Sequence, residues 1–189
     1  MNQVVSTQQR NKIHPHKFTL WVAIASIIMM FAGLTSAYIV KGSLPGWSEI
    51  EMPLIFYYST ACMLLSSLSI QMGLKAFKER NMSRYRRLMT VTIALGIIFI
   101  ALQIIGFSQM LKAGVALAGS GAGVFLYIIF GLHAIHVLGG VITLVVMFVK
   151  AFSSRIRNYN PVPVELAATY WHFVDLLWIY LFIFFLLKS

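Results

Sequence analysis

Five stretches of the chain are apolar almost without interruption. Each has the length a helix needs to cross a hydrocarbon core, roughly 20 residues. They run Phe18–Val40, Pro53–Leu74, Leu88–Leu111, Val124–Val149 and Leu166–Leu187. The first three hold no charged residue or histidine, the fourth holds His133 and His136, and the fifth holds His172 and Asp175. No water reaches the bilayer core to satisfy open backbone groups, so such runs form helices. Barrel strands would be shorter and would alternate in polarity, and these runs do not. The pattern predicts an all-α polytopic membrane protein with five transmembrane helices, one membrane domain over residues 1–189. The links are short, so neighbouring helices are expected to pack antiparallel. Gly33, Gly73, Gly96, Gly106 and Gly131 lie inside the runs, where small residues let helices approach closely. Ala113–Gly123 reads as a mobile outer loop, and Asn158–Pro163 as a stiff turn into the last helix.

Composition agrees. The 189 residues are 59% hydrophobic and 11% charged, against roughly 45–50% and 25% in soluble domains, which excludes a water-soluble globule. Mean hydropathy is +0.82. The single cysteine, Cys62, excludes a disulfide framework or a cysteine-based zinc site within the chain. A net charge of +10 would suggest nucleic acid in a soluble protein, but its placement says otherwise. Twelve of the fifteen Lys and Arg residues lie in the N-terminal tail, the second link and the fourth link, leaving Lys41, Lys112 and Lys188 for the other side. The positive-inside rule then places the N-terminus inside and the C-terminus outside. No nucleic-acid partner is needed to explain the charge. The first run is too long for a signal-peptide core and is read as a permanent span.

Ionisable groups at membrane depth are costly and are candidates for function. His133 and His136 lie near the middle of the fourth run, three residues apart on one face; His172 and Asp175 do the same on the fifth. Glu165, seven residues before His172, continues that stripe toward the inner surface. Facing each other, the two stripes are able to form one hydrogen-bonded cluster. Three readings compete for it: a haem site with His172 opposite His133 or His136, a metal site of histidines with Asp175, or a buried network locking the last two helices together. The network is the reading preferred. Gln103 with Gly96, Phe99 and Gly106 reads as a packing stripe, Ser66, Ser67 and Ser69 as hydrogen-bonding glue, and Trp171 with Trp178 as packing residues. Arg84, Arg86 and Arg87 are candidate contacts for anionic lipid headgroups. No nucleophile elbow, phosphate loop or paired-carboxylate site is present, so no catalytic residue is assigned.

Several of these residues carry a family resemblance. Ala167-Ala168-Thr169-Tyr170-Trp171-His172-Phe173-Val174-Asp175-Leu176-Leu177-Trp178 resembles the last-helix signature of subunit III of haem–copper oxidases, with Glu165 ahead of it. Gly131-Leu132-His133-Ala134-Ile135-His136-Val137-Leu138-Gly139 is similar to the family's preceding helix. Phe31-Ala32-Gly33-Leu34-Thr35-Ser36-Ala37-Tyr38 and the Ser66-Ser67 pair match the five-helix form. The resemblance implies an accessory subunit of an oxygen-reducing, proton-pumping terminal oxidase in a bacterial plasma membrane. It implies no cofactor in this chain, with haem and copper in partner subunits I and II. Membrane phospholipids and a larger respiratory supercomplex complete the implied partners, and the implied roles are assembly, lipid binding, proton uptake and durability. Two family acids are missing: Ile27 stands where a buried glutamate is common, and Gly106 replaces the acid of a Gln-x-x-Glu pattern beginning at Gln103. Two further leading helices of the seven-helix members are not seen, so their lipid-holding cleft is not carried over. The alternatives are a quinol oxidase subunit III, a small transporter or proton channel using Asp175 and the histidines, and a haem-binding anchor.

Overall fold

The computed structural model describes residues 15–42, 52–113, 121–152 and 161–188. Within them the chain forms five helices: α1 (Pro15–Gly42), α2 (Ile55–Lys78), α3 (Met82–Lys112), α4 (Gly121–Phe152) and α5 (Val162–Leu186). The described residues contain no strand. Every helix reaches past at least one end of its apolar run, because an α-helix satisfies its own backbone in the headgroup layer as well as in the core. α3 begins six residues before Leu88, where the Asn81 side chain accepts the Arg84 backbone N–H at 3.1 Å, the usual office of an N-cap. Pro163 is helical rather than part of a turn, since a first-turn residue has no N–H to contribute to the helix. The expected stiff turn therefore contracts, and its residues 158–160 lie outside the described residues. Of the expected outer loop, residues 121–123 belong to α4 and 114–120 lie outside the description.

α1, α3, α5 and the stretch of α4 from Gly123 are long and apolar enough to cross a membrane. α2 has 24 residues, which is length enough, but its alcohols dilute its hydropathy. Ser59, Ser66 and Ser69 are buried against neighbouring helices, so the bundle rather than the lipid receives them.

α2 packs on α3 and α5, and α4 packs on the same two, making a four-helix ring; α1 lies outside it against α4 and α5. Large rings bridge the ring's diagonals. Phe56 of α2 stacks on Phe130 of α4 at 5.9 Å between centroids, and Phe99 of α3 meets Trp178 of α5 edge-on at 5.3 Å. Close approach depends on glycine where these rings press. A Cβ at Gly96 would stand 3.0 Å from Trp171, and one at Gly140 only 2.9 Å, so the indole sits between two helices stripped of side chain. Gly106 makes room for Phe56 in the same way. Gly33 and Gly131 do not mark close approach, because a Cβ there would meet nothing within 4 Å.

Candidate functional site

The polar residues gather on α2. One face of α5 presents Trp171, His172, Asp175 and Trp178 at three- and four-residue steps, which places them together on one side of the helix. That side meets α2. Trp171 Nε1 donates to Ser66 Oγ at 3.0 Å, and Trp178 Nε1 donates to Thr60 Oγ1 at 3.0 Å. His172 Nε2 lies 3.1 Å from Gln71 Oε1, which can only accept. Nδ1 is therefore the ring's acceptor for the Ser67 hydroxyl. The other side of α2 ties to α3: Ser69 donates to the Leu88 carbonyl at 3.1 Å, Ser66 to the Thr92 carbonyl at 3.4 Å, and Gln103 Nε2 to Ser59 Oγ at 3.1 Å. The serines named from sequence are interhelical glue, as expected. Thr60 and Gln71 were missed. Their signal was present, because 60, 67 and 71 step by seven and four along one helical face.

The five residues assigned to one polar cluster occupy separate settings. His172 and Asp175 share Ser67 as neighbour, on the α2 side of α5. Asp175 is 3% exposed, and neither of its carboxyl oxygens has a hydrogen-bond partner. His136 lies on α4 with Nδ1 2.7 Å from the Leu132 carbonyl, while its own carbonyl accepts the Tyr170 hydroxyl at 3.1 Å. His133 is enclosed by the ring of Trp178 at 5.3 Å and that of Phe31 at 6.5 Å, and both its nitrogens are unbonded. Glu165 sits at the end of the bundle, its two oxygens each 2.8 Å from an ammonium, Lys17 on one side and Lys78 on the other. The sequence expectation has the α4 and α5 stripes facing each other. In fact α5 packs on three helices, and the hydroxyl-rich one takes its hydrogen-bonding face.

No group of three or more His, Cys, Asp or Glu side chains converges as metal ligands among the described residues. Two of the imidazoles are engaged elsewhere: His172 bonds to α2, and His136 to its own helix.

The charged end of the bundle is also specific. Lys17, Lys78 and Glu165 join α1, α2 and α5. Arg86 Nε donates to the Ala151 carbonyl at 2.9 Å, and its guanidinium lies 4.8 Å from the Phe152 ring centroid, joining α3 to α4. Arg86 is thus committed within the chain, whereas Arg84 and Arg87 are exposed. Lys75, Lys150 and these arginines share that end, and Lys41, Lys112 and Lys188 lie at the other. Arg10, Lys12, Arg155 and Arg157 fall outside the described residues.

Residues 15–189 match the sequence model of the family described as cytochrome c oxidase subunit III. The chain belongs to that family. It is 30% identical over 165 residues to a probable cytochrome c oxidase subunit 3 of Nocardia farcinica, covering 84% of this chain and 81% of that one. It is 31% identical over 172 residues to the cytochrome c oxidase subunit 3 of Corynebacterium diphtheriae, covering 86% and 82%. A cytochrome bo(3) ubiquinol oxidase subunit 3 of Buchnera aphidicola is 25% identical over 168 residues, covering 87% of each chain. As a subunit III of the haem–copper oxidases, the chain is an accessory subunit, and the transporter and haem-anchor readings lose their footing. The WHFVD segment that carried the resemblance is the segment that builds the α2–α5 seam.

Proposed function

We propose that the chain is the accessory subunit III of a cytochrome c oxidase, docked against subunits I and II, which carry the haem and copper. The observation that carries this is the family match along residues 15–189. Relatives with cytochrome c oxidase names span 25–31% identity and the quinol oxidase relative stands at 25%; the reading follows the more similar relatives, with a quinol oxidase subunit III as the alternative. In this reading all five helices span a bacterial plasma membrane, α2 included, because its polar groups face other helices. The charged end, rich in Lys and Arg, faces the cytoplasm, and Arg84 with Arg87 holds anionic headgroups there. The chain sustains proton uptake by subunit I, binds phospholipid and prolongs the life of the enzyme, and a respiratory supercomplex is its wider setting.

His133, His136, Glu165, His172 and Asp175 serve structure in this reading, not chemistry. Asp175 acts as a positioning residue: it lies beside the Ser67–His172 pair on the α2 side of α5 and helps seat that helix. A buried carboxyl without a partner is costly at membrane depth. Oxidase stripped of this chain should start at the intact enzyme's rate and then lose activity faster per turnover. Asp175→Ala should shorten that lifetime or lower the yield of assembled complex. Equal lifetimes with and without the chain would overturn the durability role, and full assembly with unchanged lifetime in Asp175→Ala would overturn the role of that residue.

A further inference from the structure

The bundle is open between two helices at the end that carries Lys17, Lys78 and Glu165. α1 and α2 both pack on or beside α5 but not on each other, so α5 is the floor of a gap with α1 on one side and α2 on the other. At the charged end this gap holds a pocket of about 320 Å³ with the three charged side chains in its lining. Four residues further along each helix toward the middle of the bundle, Trp21 of α1, Leu74 of α2 and Thr169 of α5 line it as well. That second level is one turn deeper, about 6 Å. The Thr169 hydroxyl donates to the Glu165 carbonyl at 2.8 Å, so this level offers a ligand chiefly hydrocarbon contact. Beyond it the gap faces the membrane: Leu176, on the Glu165 face of α5, is 67% exposed, and Trp21 is 61% exposed.

The rim of the pocket is electrostatically unbalanced. An ammonium has three donors, and Glu165 engages each lysine at 2.8 Å. The two lysine side chains remain 42% and 52% exposed, so donors are left for a ligand. Two ammonium groups against one carboxylate leave one positive charge unmatched, and an anion of single charge completes the rim by charge-assisted bonds. A ligand cation finds no acceptor there, because both Glu165 oxygens are already taken. That disfavours a zwitterionic headgroup. A free phosphate bears close to two negative charges at neutral pH and gains nothing from Trp21, Leu74 or the open gap. A phosphodiester bears one charge, over two free oxygens, and its acyl chains cover the apolar level and the membrane-facing walls beyond it.

We propose that this pocket is the seat of one phospholipid of single negative charge, of the phosphatidylglycerol kind. Its phosphate lies between the Lys17 and Lys78 ammonium groups, and its acyl chains run over α5 between α1 and α2. The lipid then supplies the contact that α1 and α2 lack, and ties α1, which stands outside the four-helix ring, to the ring's edge. The proposal rests on the reading of the chain as a phospholipid-binding oxidase subunit, and adds to it the lipid class and the place.

The test is photolabelling of the gently purified complex with phosphatidylglycerol carrying a diazirine in the first carbons of one acyl chain, followed by peptide mapping of this chain. Label is expected on the peptides that hold Trp21, Leu74 and Thr169, competed by unlabelled phosphatidylglycerol and not by the same excess of phosphatidylcholine, oleate or inorganic phosphate. Lys17→Gln and Lys78→Gln should each weaken the labelling about fivefold, and Lys17→Arg with Lys78→Arg should keep it. Glu165→Gln adds to the unmatched positive charge and should strengthen it, a gain that a misfolded variant does not give. Absence of label from these peptides, equal competition by any of the three other ligands, or labelling that ignores the sign of these charge changes would each overturn the proposal. The haem spectrum of the same preparation reports separately on the oxidase reading, because the mapped label does not depend on haem.

Discussion

Trp178 stands between two unlike regions. Its indole N–H is given to Thr60 of α2, in a seam where the donors and acceptors of Trp171, His172, Ser66 and Ser67 meet one another. Its ring face lies against His133, beside a groove between α3 and α4 that Gly131 helps to line. The seam shows how polar residues hold helices together in a medium that offers no hydrophobic drive between them: packing and interhelical hydrogen bonds do it. The groove is lined chiefly by apolar side chains, and the buried polar atoms beside it, both His133 nitrogens and Gln103 Oε1, have no partner. Asp175 carries the second feature into the first region, as the unbonded member of an otherwise paired seam.

The largest expected effect is Trp171→Ala. It removes a fully buried indole seated between Gly96 and Gly140, and should destabilise the chain by about 3 kcal/mol, read as a lower melting temperature of the purified protein in mild detergent. A loss near zero would mean the seam is not where the bundle is held. Next come two glycine substitutions with opposite signs. Gly140→Val drives a side chain into Trp171 and should cost roughly 1–3 kcal/mol, while Gly131→Ala meets open space and should gain up to about 1 kcal/mol from helix propensity. Equal effects would erase the distinction between seam and groove.

The histidines sharpen the comparison further. His172→Phe strands Ser67 and Gln71 and should cost about 1 kcal/mol, whereas His133→Phe removes two unbonded nitrogens from an aromatic nest and should leave the melting temperature unchanged or raised. The smallest effect belongs to the bundle's end. Glu165→Gln weakens contacts to two well-exposed ammonium groups and should cost under ~1 kcal/mol, with the difference fading as salt screens the wild-type pairs. A salt-independent difference would show that Glu165 works by some other contact.

Much of this was legible in the chain. Uninterrupted apolar length predicts five helices, because no other element satisfies its backbone in lipid. The motif from Ala167 to Trp178 pointed to the family, and the Ser66, Ser67 and Ser69 spacing pointed to interhelical bonds. The direction in which α5 turns its polar stripe was not legible. Periodicity places His172 and Asp175 on one face of one helix, but which neighbour meets that face depends on how five helices arrange themselves, and α5 has three neighbours. The stripes of α4 and α5 are matched in sequence by their similar depth, and the partner that the α5 face meets is the hydroxyl face of α2. The groove was equally hidden, because Gly131 reads like Gly96 in sequence and only packing separates a glycine that admits a ring from one that leaves a gap.

The central claim about the chain is that it is a subunit without redox centres in a complex that has them. The most direct test is a reduced-minus-oxidised visible spectrum of the tagged chain purified gently from native membranes, repeated after the partner subunits are stripped away. The account predicts a haem oxidase signal in the first spectrum and none in the second. A haem band that stays with the isolated chain, or no haem in the gently purified complex, would contradict it.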